Sequence, residues 1–176
     1  MIVLGGVLVV GALIAWLLIA PKQSAAVESS SEPSIAPAST PKYPYQAEVF
    51  RAAEYYNIDP DLIAAIISWE QRSDTKWDPN AVNPSDPSYG LGQVTPYIGA
   101  RFSIIPSESA YEELFDPLKN CMAVAAFLSY CYNGQKYDLE KTIQIYNEGE
   151  PNYWNGKRVP DYLNGVMGYY RKFRGY

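Results

Sequence analysis

The chain has 176 residues, of which 48% are hydrophobic, with a net charge of −5 and no histidine. This length and composition suit one globular domain with appendages. The acidic balance argues against a nucleic-acid binder that tracks phosphates, and the lack of histidine excludes Ser-His and Cys-His nucleophile pairs together with the commonest metal ligand. We therefore expect no cofactor and no nucleic-acid partner.

Residues 2–20 form an uncharged apolar run that would make about 28 Å of helix, enough to cross a bilayer core. A cleaved signal peptide is the competing interpretation, but there is no basic region before the run, and the run is longer than the usual apolar core of such peptides. We expect a single-pass transmembrane anchor at residues 1–20. Its orientation is poorly specified, because Lys22 is the only nearby basic residue.

Residues 21–42 are a Ser, Ala and Pro-rich segment, with these three types at fourteen of twenty-two positions. Such a composition cannot bury enough apolar surface to fold. We predict a flexible linker whose root-mean-square span is on the order of 25 Å. Residues 43–176 then form the working domain.

The domain begins with two predicted helices, residues 45–58 and 59–71. The second has a marked start, since Asp59 suits the N-cap and Pro60 suits the first helical position. The helices follow one another directly, which predicts a helical hairpin.

Glu70 stands at the end of the apolar face of the second helix. Ile63, Ile66 and Ile67 precede it by seven, four and three residues, so all three lie beneath it. Loss of solvation and the negative end of the helix dipole both disfavour ionisation, which predicts a raised pKa and a carboxyl group able to donate a proton. The alternative is a glutamate that bends out to water.

The rest of the domain is predicted to be mainly helical, with a small β or irregular lobe after Glu70. Residues 78–94 are rich in turn formers and contain at most a short β-hairpin near residues 88–94. Asp116 and Pro117 open a helix with a continuous apolar stripe, the predicted central core helix. Residues 138–146 and 161–173 supply two further helices.

Cys121 and Cys131 fall within that predicted core helix. Ten residues of helix separate them by roughly 15 Å, beyond the Cα separation of about 7 Å that a disulfide tolerates. We expect buried free thiols, with an intermolecular disulfide as the alternative.

Five motifs occur in a recognisable order along the domain: a helix that ends in Glu, then WDPNAVNP, YGLGQVTP, ELFDPLKN and YNEG. This order resembles the superfamily of soluble lytic transglycosylases and goose-type lysozymes, over about residues 55–173. The resemblance implies an α+β lysozyme-like fold and an enzyme that cuts the glycan strands of peptidoglycan.

The resemblance also implies roles for individual residues. Glu70 would be the general acid, Gln93 would line the sugar cleft, and Tyr146 would hydrogen-bond to Glu70 and orient it. Asn147 would help to shape the cleft, and the glycine at 90 would let the sugar approach the backbone. Gln71, where the family usually has Ser, and Tyr162 complete the expected substrate-binding set.

The sequence departs from the family pattern at four places. Besides Gln71, an insertion appears at Asp74 and Thr75, Gly92 replaces the usual Met, and Arg158 with Val159 aligns with a Glu-Thr pair. The predicted substrate contacts therefore rest on fewer matches than the predicted acid.

A lytic transglycosylase mechanism needs one carboxylate, and the resemblance gives that role to Glu70. It would protonate the glycosidic oxygen and then deprotonate the C6 hydroxyl of muramic acid, which leaves a 1,6-anhydro end. A hydrolase would need a second carboxylate, for which Asp86 is the best placed, although its SDPS context is also a good turn. A third hypothesis is a non-catalytic virion or cell-surface protein that binds glycan through aromatic side chains, namely Tyr153, Trp154, Tyr162, Tyr169 and Tyr170. These aromatic residues could equally belong to the core around the last helix.

The expected partners are peptidoglycan strands and, through residues 2–20, a lipid bilayer. The domain would then act on the peptidoglycan side of a membrane, in the periplasm, at the cell surface or on a virion membrane. Bacterial and phage origins both stay open, and with them a secretion apparatus or a virion as further partners.

Overall fold

The computed structural model describes residues 40–176, so the expected anchor and most of the linker lie outside the described residues. This part of the chain forms seven α-helices and one two-stranded antiparallel sheet, in the order α1 (Gln46–Tyr56), α2 (Pro60–Glu70), β1 (Val82–Asn83), β2 (Ser88–Tyr89), α3 (Pro96–Arg101), α4 (Pro117–Ser129), α5 (Leu139–Glu148), α6 (Glu150–Trp154) and α7 (Pro160–Arg174). A 3₁₀ stretch (Glu108–Phe115) precedes α4 and a π-helical turn (Tyr130–Gly134) follows it. Within residues 40–176, every helix is too short or too polar to span a bilayer.

Helix α2 forms as its sequence predicts. The Asp59 side chain accepts a hydrogen bond from the Asp61 amide at 2.9 Å, and Pro60 occupies the first helical position. Ile63, Ile66 and Ile67 are all 0% exposed. The apolar stripe beneath Glu70 is therefore confirmed.

Helix α4 is the centre of the helical core. Asp116 caps it by accepting from the Lys119 amide at 2.8 Å, and the helix packs against α1, α2, α3 and α5. Cys121 lies in the helix and Cys131 in the π-helical turn; both are buried free thiols, as expected. Burial raises the pKa of the Cys131 thiol to about 12.

Helices α2 and α7 approach each other closely at one glycine. A Cβ on Gly165 would lie 1.9 Å from Cζ3 of Trp69, so this position can carry no side chain without displacing the indole ring. Tyr162 lies one helical turn before Gly165 on α7. The close approach therefore brings Tyr162 against the end of α2.

The lobe after Glu70 differs from the prediction in two ways. The hairpin begins earlier than expected, with Val82 opposite Tyr89 and Asn83 opposite Ser88. Helices α3 and α6 were not predicted, because six and five residues are too few to show a helical repeat of apolar positions. Their start signals were present, since Thr95 precedes Pro96 and Pro151 lies in the first turn of α6.

Candidate active site

Glu70 is the last residue of α2, half-buried, and its side chain is directed towards α7. The Tyr162 hydroxyl donates a hydrogen bond of 2.7 Å to Oε1 of Glu70. Burial raises the pKa of the Glu70 carboxyl above its ordinary value, although the hydrogen bond from Tyr162 and the charge of Arg72 act to lower it. The raised pKa agrees with the prediction, and the alternative of a side chain bent out to water is wrong.

Tyr162 supports Glu70 through its hydroxyl group. It is only 6% exposed, and its ring meets the Trp69 ring edge-on at 6.1 Å. Burial and the neighbouring Glu70 raise the pKa of the Tyr162 hydroxyl well above its usual value, so it stays a donor. The hydrogen bond gives Tyr162 a positioning role on Glu70, and its expected contact with substrate stays a prediction.

Tyr146 does not make the expected hydrogen bond to Glu70. Its hydroxyl donates instead to the Gly92 carbonyl oxygen at 2.8 Å, because the absence of a side chain on Gly92 leaves room for the phenol. The charge of Glu70 still contributes to raising the pKa of Tyr146, after burial. Tyr146 therefore lies near the acid, but it holds the glycine loop.

Gln71 acts as a structural clamp, and its predicted contact with substrate stays a prediction. Its Nε2 donates to the carbonyls of Leu91 at 2.9 Å and Gly90 at 3.2 Å, while its Oε1 accepts from the Asp78 amide at 2.9 Å. Both ends of the amide are thus used by backbone groups. The clamp ties the end of α2 to the loop at residues 90–92.

Gly90 serves internal packing, and its predicted approach to the sugar stays a prediction. Its φ of +70° favours glycine, and a Cβ there would lie 2.4 Å from both Nδ2 of Asn120 and the Leu114 carbonyl. A Cβ on Gly92 would likewise lie 2.3 Å from Cγ2 of Val124. The loop is glycine-rich because it passes tightly over α4.

Asn120 organises this loop, a role that was not predicted from the sequence. It is fully buried, accepts from the Gly92 amide at 2.8 Å, and donates to the carbonyls of Tyr89 and Leu114 at 2.8 Å each. Three hydrogen bonds satisfy the buried amide. The available signal was an Asn within the otherwise apolar stripe of α4, at the end of the ELFDPLKN motif.

A cleft of about 610 Å³ lies beside the loop. It brings together Gln93, Tyr146 and Asn147, three of the predicted substrate-binding residues. The other lining residues come from α3, α4 and the junction of α5 with α6, namely Val94, Thr95, Tyr97, Ile98, Arg101, Phe127, Glu148, Gly149, Glu150 and Pro151. Glu70 does not line the cleft; the loop at residues 90–92 and Tyr146 connect the two.

The cleft also contains two acidic residues, Glu148 and Glu150, that the sequence did not indicate as site residues. Each of them already has a partner. Glu148 is paired with Nζ of Lys157 at 2.6 Å. Glu150 accepts hydrogen bonds from the hydroxyls of Tyr130 at 3.1 Å and Tyr137 at 3.0 Å. Asp86, the predicted second carboxylate, lies exposed in the turn between β1 and β2 and does not line the cleft.

The aromatic residues proposed for glycan binding have different environments. Tyr170 donates to Asp59 at 2.7 Å, and Tyr169 stacks on Phe173 with ring centroids 6.3 Å apart. These two belong to the packing of α7. Trp154 is 59% exposed on α6 and meets Tyr153 edge-on at 5.6 Å.

The departures from the family pattern have structural counterparts. Asp74, in the insertion, pairs with Lys172 of α7, and the hydrogen bond from Lys172 lowers the pKa of the Asp74 carboxyl. Arg158 lies 3.7 Å over the Tyr153 ring and donates to the Tyr153 carbonyl at 2.7 Å. Both residues tie surface segments to the helices.

The fold and the site together define a lysozyme-like helical domain in which the half-buried Glu70 is hydrogen-bonded by Tyr162 near a cleft. The family model described as "Transglycosylase SLT domain" matches residues 48–162, and the chain belongs to this family. Its fold and family are those of peptidoglycan lytic transglycosylases, which confirms the superfamily predicted from the motifs.

Among solved structures, the chain is similar to the 70 kDa soluble lytic transglycosylase from Escherichia coli, with a TM-score of 0.59 and 23% identity. The similarity covers 74% of this chain and 24% of that one, so the chain spans about a quarter of the length of its structural relative. A comparison with curated proteins gave no match.

Proposed function

We propose that this domain cleaves the β-1,4 bond between N-acetylmuramic acid and N-acetylglucosamine in peptidoglycan, with Glu70 as the single general acid and base. The observation that carries the proposal is the half-buried Glu70 carboxyl, hydrogen-bonded by Tyr162, with a pKa raised by burial. A general acid works best when its pKa lies near the working pH. Family membership supplies the substrate class.

The reaction proceeds in two proton transfers. Glu70 gives its proton to the glycosidic oxygen, which departs as the O4 hydroxyl of the glucosamine. The resulting carboxylate accepts the proton of the C6 hydroxyl of the muramic acid as O6 bonds to C1, which leaves a 1,6-anhydro end and restores the acid. Because Tyr162 holds Oε1, the other oxygen, Oε2, is available for both transfers.

The other carboxylates support this single-carboxylate reaction over hydrolysis. A hydrolase needs a second carboxyl group about 5 to 9.5 Å from the first. Lys157 already pairs with Glu148, two phenols already hydrogen-bond to Glu150, and Asp86 is exposed in a turn. None of these three combines a carboxylate without a partner and a position in the cleft.

Mass spectrometry of muropeptides released by the full chain, beside Glu70→Gln, tests the proposal. We expect products that end in anhydro-muramic acid, lighter by one water than hydrolysis products, and a near-complete loss of release in Glu70→Gln. Reducing ends would favour the hydrolase instead. Equal release by both proteins would remove Glu70 from the reaction, and binding without release by the wild type would favour the glycan-binding alternative.

We further propose that residues 2–20 anchor the domain in a bilayer and that residues 21–42 tether it, so that it opens the wall locally from the peptidoglycan side of the membrane. The apolar run and the Ser, Ala and Pro-rich segment support this arrangement. Alkaline extraction of membranes tests the anchor: the full chain should remain with the lipid, and a chain without residues 2–20 should be released. Release of both would contradict the anchor.

A further inference from the structure

Arg101, at the end of α3, provides a positive charge to the cleft. It lines the same cleft as Gln93 and Asn147 and is exposed. Among the described residues that line this cleft, no other side chain is a lysine or an arginine. The N-acetylated sugars of a glycan strand are neutral, so sugar recognition alone gives no role to this charge.

The Arg101 side chain is held from below by aromatic rings. Its guanidinium lies 4.5 Å from the centroid of the Tyr130 ring and 5.4 Å from that of Phe102. Both distances are within the range of cation–π attraction, and a guanidinium carries five N–H donors that can bind a carboxylate with two parallel hydrogen bonds.

The guanidinium of Arg101 has no carboxylate partner within 4.0 Å among residues 40–176. The two acidic residues of the cleft are satisfied elsewhere, Glu148 by Lys157 and Glu150 by two phenols. Burial acts to lower the pKa of the Arg101 guanidinium, but a hydrogen bond with the Tyr130 hydroxyl raises it above its usual value, and the charge of Glu150 adds a smaller contribution without forming an ion pair. Apart from its hydrogen bond with Tyr130, this cation has no carboxylate partner among the described residues, so N–H donors remain for a ligand.

We propose that Arg101 binds a carboxylate of the peptide stem carried by muramic acid, so that the domain selects strands whose stems bear free carboxylates. The inference depends on the proposed function, because it takes the substrate class from it. In an intact strand the lactyl group of muramic acid is joined to the stem by an amide bond. The carboxylates of the stem are therefore the negative charges that such a strand presents.

A cycle that removes the charge from each partner in turn, and then from both, tests the proposal. The substrates are purified peptidoglycan strands and the same strands after their carboxylates are converted to amides with carbodiimide and ammonia. The full-length proteins are the wild type, Arg101→Gln, Arg101→Lys and, as a matched control, Arg51→Gln on the exposed face of α1. The readout is kcat/KM for the release of anhydro ends.

For the wild type, amidation of the strands should lower kcat/KM roughly tenfold or more, as expected for the loss of a hydrogen-bonded charge pair. Arg101→Gln should show a similar loss on untreated strands and little further loss on amidated ones. Arg101→Lys should remain sensitive to amidation, since it keeps the charge. Arg51→Gln should behave as the wild type.

Two results would overturn the assignment while leaving the proposed reaction intact. One is an Arg101→Gln variant that loses as much on amidation as the wild type does. The other is full, Arg101-dependent cleavage of strands stripped of their peptides, which would point to the lactyl carboxylate that stripping exposes. A wild type that releases no anhydro ends from any strand would contradict the proposed function instead.

Discussion

The helices α2 and α7 and the cleft wall built by α3 and α6 form the site in different ways. Helix α2 buries seven of its eleven residues, whereas α3 buries one of six and α6 buries none of five. Glu70 is therefore held by a helix of the core, whereas short, exposed segments form the cleft wall. Changes at the α2–α7 contact should alter rate and stability, and changes in the wall should alter substrate affinity.

The largest effect is expected at the acid itself. Glu70→Gln removes the proton that the reaction needs, while the amide oxygen can still accept from Tyr162. Release of anhydro ends should fall by about 10² to 10⁴, the usual contribution of general acid and base catalysis. Muropeptide release measures the loss. If Glu70→Gln kept more than a tenth of the wild-type rate, Glu70 would not be the general acid, and the acid would have to lie elsewhere than in the core.

The contact between α2 and α7 provides a matched pair of glycine substitutions. Gly165→Ala places a methyl group inside the Trp69 ring, and we expect a loss of about 1 to 3 kcal/mol in the free energy of unfolding. Gly168→Ala, three residues along the same helix, meets open space and should stabilise by up to about 1 kcal/mol. Denaturant unfolding measures both.

Equal effects at Gly165 and Gly168 would mean that α7 does not pack closely on α2, and the placement of Tyr162 would lose its basis. The activity of the two variants sharpens the comparison. Gly165→Ala should also lower the rate, since it moves Tyr162 away from Glu70, whereas Gly168→Ala should leave the rate unchanged.

Tyr162→Phe keeps the acid Glu70 and removes only the hydroxyl group that positions it. The hydrogen bond from Tyr162 lowers the pKa of Glu70, so its removal should raise that pKa further. A general acid must be protonated, and the alkaline limb of the kcat/KM profile should therefore move to higher pH. We expect kcat to fall about tenfold with little change in KM.

The control for Tyr162→Phe is Tyr170→Phe, which removes a hydrogen bond of the same length from α7 to Asp59. It should lower stability slightly and leave the alkaline limb in place. A shift of the limb in both variants would assign the effect to general loosening of α7 and not to the hydroxyl on Glu70.

The pH dependence of stability reports the burial of Glu70 independently of activity. Because its folded pKa is raised, the folded state holds this proton at pH values where the unfolded chain has lost it. Ionisation therefore opposes folding increasingly as the pH rises from the unfolded pKa through the folded one. Glu70→Gln lacks this penalty, and its Tm relative to the wild type should increase between pH 4 and pH 7. A constant or decreasing difference would contradict a buried acid.

The contrast between core and wall also explains what the sequence could predict. Helices α2 and α4 were predictable because each has an Asp cap, a Pro in the first turn and a long apolar stripe. The environment of Glu70 followed from its spacing to three isoleucines. Which tyrosine reaches Glu70 could not be predicted, because it depends on the close packing of Gly165 on Trp69, far apart in the chain.

The sequence motifs correctly predicted some residues that line the cleft, but they did not predict what each motif residue contacts. Gln93, Tyr146 and Asn147 do line it. The backbone contacts of Gln71 and Gly90 could not be predicted, because a motif shows that a residue type is needed and not whether substrate or backbone needs it. In this domain the amide of Gln71 and the missing side chain of Gly90 serve the backbone. Arg101 was missed, because a helix of six residues shows no periodic face.

The smallest effects should come from removing helix caps, and they test the contrast between core and wall directly. Asp116 caps the central helix α4 with a hydrogen bond of 2.8 Å, and Thr95 caps α3 with a longer one of 3.4 Å to the Ile98 amide. Asp116→Ala should lower the free energy of unfolding by about 1 kcal/mol, because α4 unfolds only with the whole domain. Thr95→Ala should change global unfolding by less than half of that, while hydrogen exchange of the α3 amides becomes faster. If Thr95→Ala lowered global stability as much as Asp116→Ala does, the cleft wall would belong to the same cooperative unit as the core, and the division between them would be wrong.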